Sequence, residues 1–217
     1  MLRNFLKAVC YVFVAAMPLC AGGLTTNFDL EDAELIFSKS GEYDLVALDG
    51  AGLMTDTGLP ALPQLSVNVV IPLDRKVIEL VAEPLMTESV EGSFLIMPAQ
   101  PPRHGDEQFN PDFVQPDPTV YSSHSWFPAE IAIVTGQSSM FGYNIAHLLI
   151  TPLQYIPAEG KLRFHRKVTL TLTLEPSELD YLPVGKRTEE TKHEIEEDLR
   201  SLVINPEDVS KFAPRND

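Results

Sequence analysis

The chain has 217 residues, 44% of them hydrophobic and 22% charged, a composition that supports a globular domain with its own core and excludes a disordered chain. Sixteen Lys and Arg against 31 Asp and Glu leave a net charge of −15, which repels nucleic acid and anionic lipid and argues against both as partners. The two cysteines, Cys10 and Cys20, both precede the body of the chain, so neither a disulfide framework nor a cysteine-rich zinc site is expected.

At the N-terminus, Arg3 and Lys7 lead into an apolar run from Ala8 to Leu19. The run is too short to span a bilayer as a permanent helix and reads as a secretory signal. Small residues at Ala21, Gly22 and Gly23 place cleavage close to Gly22, whereas Pro18-Leu19 disfavours acylation of Cys20. Residues 1–22 are therefore assigned to a signal peptide. The mature chain is expected to be exported, to carry no cysteine and to have no membrane partner.

Short β-rich runs follow at Leu35 to Ser38, Tyr43 to Leu48, Leu65 to Ile71, Val77 to Ala82, Phe94 to Met97, Ala129 to Thr135, Tyr143 to Ile150 and Leu162 to Leu174. Gly, Pro or Asp separates them, the pattern of an antiparallel sandwich. In the last run Val168, Leu170, Leu172 and Leu174 alternate with Thr169, Thr171 and Thr173, so one face is buried and the other wet. Pro157-Ala158-Glu159-Gly160 reads as a turn that would pair Ala146 to Tyr155 with Leu162 to Leu174 as a hairpin. Residues 175–217 hold twelve acidic and six basic side chains, with Ile195, Leu199 and Leu202 on one helical face behind a Thr188 cap. The expected fold class is all-β, an antiparallel, jelly-roll-like β-sandwich over residues 23–175, with an acidic, partly helical C-terminal linker over 176–217.

One segment departs from a plain sandwich. Pro98 to Pro118 contains six prolines in 21 residues, and Arg103 is its only Lys or Arg. Loops this long in compact domains are functional or disordered; on composition alone this one is a solvated, proline-stiffened excursion.

Catalytic patterns are mostly missing. His104, His124, His147, His165 and His193 show no metal-binding spacing, and no phosphate-binding glycine loop or nucleophile elbow occurs. Neither a metal nor another cofactor is expected. His124 with Asp117 and the serines at 122, 123 and 125 can be drawn as a triad, but a serine-rich turn with one histidine arises often by chance. No enzyme is read from these residues.

Gly58-Leu-Pro-Ala-Leu-Pro-Gln-Leu-Ser, followed by a strand ending at Ile71-Pro72, resembles the opening segment of the N-terminal prodomain of gingipain-type cysteine endopeptidases. Phe94-Leu-Ile-Met-Pro, Tyr121-Ser-Ser, Trp126-Phe-Pro-Ala-Glu-Ile-Ala and Thr151-Pro-Leu-Gln-Tyr-Ile-Pro-Ala-Glu-Gly-Lys-Leu-Arg are similar to the same prodomain in the same order. The resemblance implies a β-sandwich that assists folding of a caspase-like cysteine protease domain and blocks its active site until removed. It places the inhibitory loop at Pro98 to Pro118, with Arg103 in the substrate pocket, Pro102 holding the approach extended and His104 following. The family's catalytic Cys and His match no position here. Release is expected by cleavage after Arg215, with Arg187 as a second site. The competing reading is a stand-alone extracellular sandwich used in adhesion or assembly, and a reading frame continuing past Asp217 into a Cys/His protease domain would separate the two.

Overall fold

A computed structural model describes residues 22–102, 112–177, 185 and 187–214. The strand β10 (Lys161–Pro176) is the axis of the first sheet. It pairs antiparallel with β6 (Arg75–Val90) along one edge, and with β1 (Gly22–Asp29) and β9 (Leu153–Ile156) along the other. The second sheet is antiparallel in the order β4 (Gly52–Leu53), β5 (Pro63–Ile71), β8 (Tyr143–Ile150), β7 (Ala132–Met140). The alternation read from the sequence decides how the two meet. Val168, Leu170, Leu172 and Leu174 of β10 pack on Val69, Ile71, Leu148 and Ile150, while Thr169, Thr171 and Thr173 stay on the outer side.

The second sheet is covered on its other face as well. Helix α2 (Glu189–Leu202), capped by the Thr188 hydroxyl accepting from the Thr191 N–H, lays Leu199 with Val203 and Val209 on Val70, Tyr143 and Ile145. Burial on both faces accounts for the near-continuous apolar character of β8. Beyond the helix, Val203 bridges Asn68 in parallel and the Ile204 N–H donates to the Asn68 carbonyl at 3.0 Å. The Asn205 amide completes this join: its Oδ1 accepts from the Val70 N–H and its Nδ2 donates to the Val70 carbonyl, both at 2.9 Å. A side chain here occupies the place of a neighbouring strand on the edge of β5.

A third unit, the hairpin of β2 (Leu35–Ser40) and β3 (Tyr43–Leu48), turns at Gly41, whose φ of 64° suits a residue without a Cβ. It closes a second core in which Val46 and Leu48 meet Ile96, Tyr155, Leu162 and Phe164.

The antiparallel sandwich and the C-terminal helix agree with the sequence reading, and several details differ, among them Phe94 to Met97, which forms no strand and contributes only an isolated bridge from Ile96 to Asp44. The strand β1 was not anticipated; it is a weakly patterned segment fixed by pairing with β10. The strand β6 runs well past Ala82, because Pro84 lies on the open side of an edge strand where the missing N–H costs no ladder bond. The expected hairpin of 146–155 with 162–174 is incorrect. The chain breaks at Thr151-Pro152, so only Leu153–Ile156 pairs with β10 and β8 joins the other sheet. On α2 the buried ridge runs from Ile195 and Leu199 to Val203, leaving Leu202 48% exposed.

Candidate functional site

The root of the proline-rich segment is built from two strips of backbone. On the first side, Asp44 of β3 bridges Ile96, its N–H donating to the Leu95 carbonyl and its own carbonyl accepting from the Met97 N–H. Asp44 is buried. Its carboxylate accepts from the Leu95 N–H at 2.9 Å and pairs with Lys39 at 2.9 Å, and these two contacts hold its pKa below the ordinary carboxylate value. The chain then runs alongside 58–61: the Ala61 N–H donates to Met97, Ala99 donates to Leu59 and Gly58 donates to Ala99.

Both stems of the segment are gripped by the same few groups. Gly58, at φ 86°, donates to the Ala99 carbonyl on the outgoing stem and accepts from the Asp117 N–H on the returning one. Gln100 closes the gap from the other side, its Oε1 accepting from the Val114 N–H and its Nε2 donating to the Val114 carbonyl, both at 2.9 Å. The amide thus mimics a strand neighbour across a 14-residue separation. The returning stem ends in the short helix α1 (Pro118–Tyr121), where the Asp117 carboxylate accepts from the Thr119 and Val120 N–H groups. Tyr121 reaches back to donate to the Ile96 carbonyl at 2.7 Å, and burial pushes its pKa well above the ordinary phenol range, so it stays a donor.

Of the residues expected in the loop, Pro102 is exposed at the end of the outgoing stem, and Arg103 and His104 lie outside the described residues. Arg187 is half-buried and donates to the Phe141 carbonyl at 3.0 Å. It lines a pocket of about 210 Å³ with Tyr143, Ile195 and Pro214, and Arg215, one residue further on, lies outside the described residues. The serine triad is not assembled. Asp117 caps α1, the Ser122 hydroxyl donates to the Pro118 carbonyl, and the neighbour of His124 is Glu159 at 3.4 Å. Among the described residues no group of His, Cys, Asp and Glu is placed to hold a metal, and no helix is long and apolar enough to cross a membrane.

Sequence reasoning missed the Gln100 clamp and a polar network at the start of β10. Gln154 Oε1 accepts from Arg163 Nε and Nη2 and from His165 Nε2, while Thr87 sits 2.8 Å from His165 Nδ1. The Arg163 guanidinium also stacks over Trp126 at 4.0 Å. The partner of Gln100 comes from the other stem, 14 residues on, whereas Arg163 and His165 face Gln154 across the β9–β10 turn, whose strand register was not read from the sequence.

The two stems, clamped by Gly58 and Gln100, leave the antiparallel sandwich side by side. The family model described as Propeptide_C25 matches residues 33–213, and the chain belongs to this family. It is a non-catalytic prodomain of a protease precursor. No curated protein matches the sequence. Among solved structures, the fold is similar to one chain of the complex of Porphyromonas gingivalis RgpB pro- and mature domains, at a TM-score of 0.58 and 15% identity, covering 89% of this chain and 96% of that one. It is also similar to a structure describing the zymogenic latency of gingipain K from the same organism, at a TM-score of 0.57 and 20% identity, covering 71% and 88%.

Proposed function

We propose that this prodomain assists the folding of, and inhibits, a gingipain-like secreted cysteine endopeptidase whose caspase-like catalytic domain follows it in cis, with Arg103 filling the substrate pocket. The observation that carries this reading is the double clamp on the loop stems by Gly58 and Gln100. Stems fixed before docking lose less freedom on binding, which is what a blocking loop requires. A guanidinium in a dry acidic pocket makes paired, charge-assisted bonds to a carboxylate, so one residue can anchor the interface. Pro102 extends the approach and His104 follows it. That one structural neighbour is a complex of pro- and mature domains supports a mature protease domain as the partner. Residues 1–22 serve as the export signal, and cleavage after Arg215 or Arg187 releases the prodomain.

Inhibition of the cognate mature domain tests the reading. Arg103→Ala should weaken it by about 2–4 kcal/mol, the range of a buried charged hot spot, and Arg103→Lys by an intermediate amount. Lys161→Ala, which removes a surface partner of Glu159, should change nothing. Equal inhibition constants for the wild type and Arg103→Ala would refute the assignment. N-terminal sequencing of the matured protein should find Asn216 or Thr188 as a new terminus.

A further inference from the structure

The fold exposes two sheet faces of opposite chemistry. The outer face of the first sheet carries the Thr169, Thr171 and Thr173 row flanked by charge: Lys76 pairs with Glu175, Lys167 with Asp29, and Glu79 accepts from Thr173. The outer face of the β2–β3 hairpin is different. Register places Leu35, Phe37 and Lys39 opposite Leu48, Val46 and Asp44 on the inner side. Ile36, Ser38 and Ser40 therefore face outward with Ala47, Leu45 and Tyr43. Not one of these six is charged, in a chain that holds 47 charged residues. The one acid of these two strands, Asp44, is buried on the inner side and pairs with the strands' one base, Lys39, whose side chain stays 70% exposed at the end of β2.

This uncharged face continues to the loop root. Asp44 and Ile96 bridge with both side chains buried, so their neighbour Leu95 points out beside Tyr43 and is 37% exposed. Phe113, on the returning stem, lies 5.7 Å from the Tyr43 ring and is 40% exposed. At the far end Ile36 is 62% exposed. Apolar and aromatic surface without charge is the composition of the centre of a protein interface.

We infer that this face, from Ile36 through Tyr43 to Leu95 and Phe113, is a docking surface for the mature peptidase domain, engaged together with the loop. The inference rests on the inhibitory reading above. Continuity carries it: Leu95 leads into one stem and Phe113 lies on the other, so a body that receives the loop lies over the face. A second copy of the chain is disfavoured as the occupant, because it would bring a charge of −15 against itself.

Inhibition and binding of the cognate mature domain by the full chain test the surface. Ile36→Glu and Ala47→Glu alter exposed positions, so their melting temperatures should match the wild type. Each should weaken binding roughly tenfold or more, and Thr171→Glu on the polar face should not. Deuterium uptake over residues 34–48 should fall in the complex. Arg103→Ala is measured in parallel so that the two ideas can fail separately. Loss of inhibition with Arg103→Ala but unchanged binding with both hairpin variants overturns the face and keeps the loop. Weakened binding with the hairpin variants and no effect of Arg103→Ala supports the face and removes the loop. Dimers of the free chain that Ile36→Glu dissociates, with peptidase binding unchanged, would assign the face to a second copy and overturn the inference.

Discussion

His165 is the residue whose surroundings predict most. It is 1% exposed, its Nε2–H donates to Gln154, an acceptor already shared with Arg163, and its Nδ1 accepts from Thr87. Burial, with a smaller contribution from the Arg163 charge, lowers its pKa from 6.5 to about 4. An unfolded histidine takes its proton first as the pH falls, so this group stabilises the fold above pH 6.5 and loses that contribution between pH 6.5 and 4, up to about 3 kcal/mol. Urea unfolding at steps across this range should show the decline, and His165→Leu should flatten it while lowering stability at pH 7. An equal slope in the variant would assign the decline elsewhere, first to Glu88 and Glu159, whose pKa values Arg166 and Lys161 hold below the ordinary 4.5.

At the scale of elements, Asn205 joins the C-terminal segment to the sandwich. Asn205→Ala would leave the buried N–H and carbonyl of Val70 without their partner and also remove the Nδ2 bond to Asp208 at 3.0 Å. It should cost about 2–4 kcal/mol, read as a lower urea midpoint. Asn205→Asp should not rescue it, since a carboxylate cannot donate to Val70 and faces Asp208. Elements with strong internal patterns were legible in the sequence: the Leu and Thr alternation of β10, the Thr188 cap and the apolar ridge of α2. Those defined by distant partners were not. Gly22–Asp29 becomes a strand through pairing with 167–174, and the break at Thr151-Pro152 decides which sheet β8 joins. At the candidate site the proline content marked the loop, but the grip of Gln100 on Val114 left no trace in composition or spacing.

For the whole molecule, the two expected cleavage positions lie at the ends of a segment that is part of the body. Arg187 and Pro214 line one pocket, and between them Leu199, Val203 and Val209 are buried against β5 and β8. A cut after Arg187 alone should therefore leave the helix in place. Trypsin-nicked chain should run as one species in gel filtration and separate into fragments only in denaturant, whereas separation in buffer would show that the helix is held by chain connectivity and not by packing. The pairing of β1 with β10 has a further consequence, for synthesis. Thr25 meets Thr171, 146 residues away, so the first strand of the body emerges from the ribosome long before its neighbour exists. Until residues 161–176 follow, neither β1 nor β6 has its partner in the first sheet. Throughout that interval the chain is an incomplete sheet with unpaired strands, open to wrong pairings and to chaperones. The sandwich closes only as translation nears the cleavage positions proposed above.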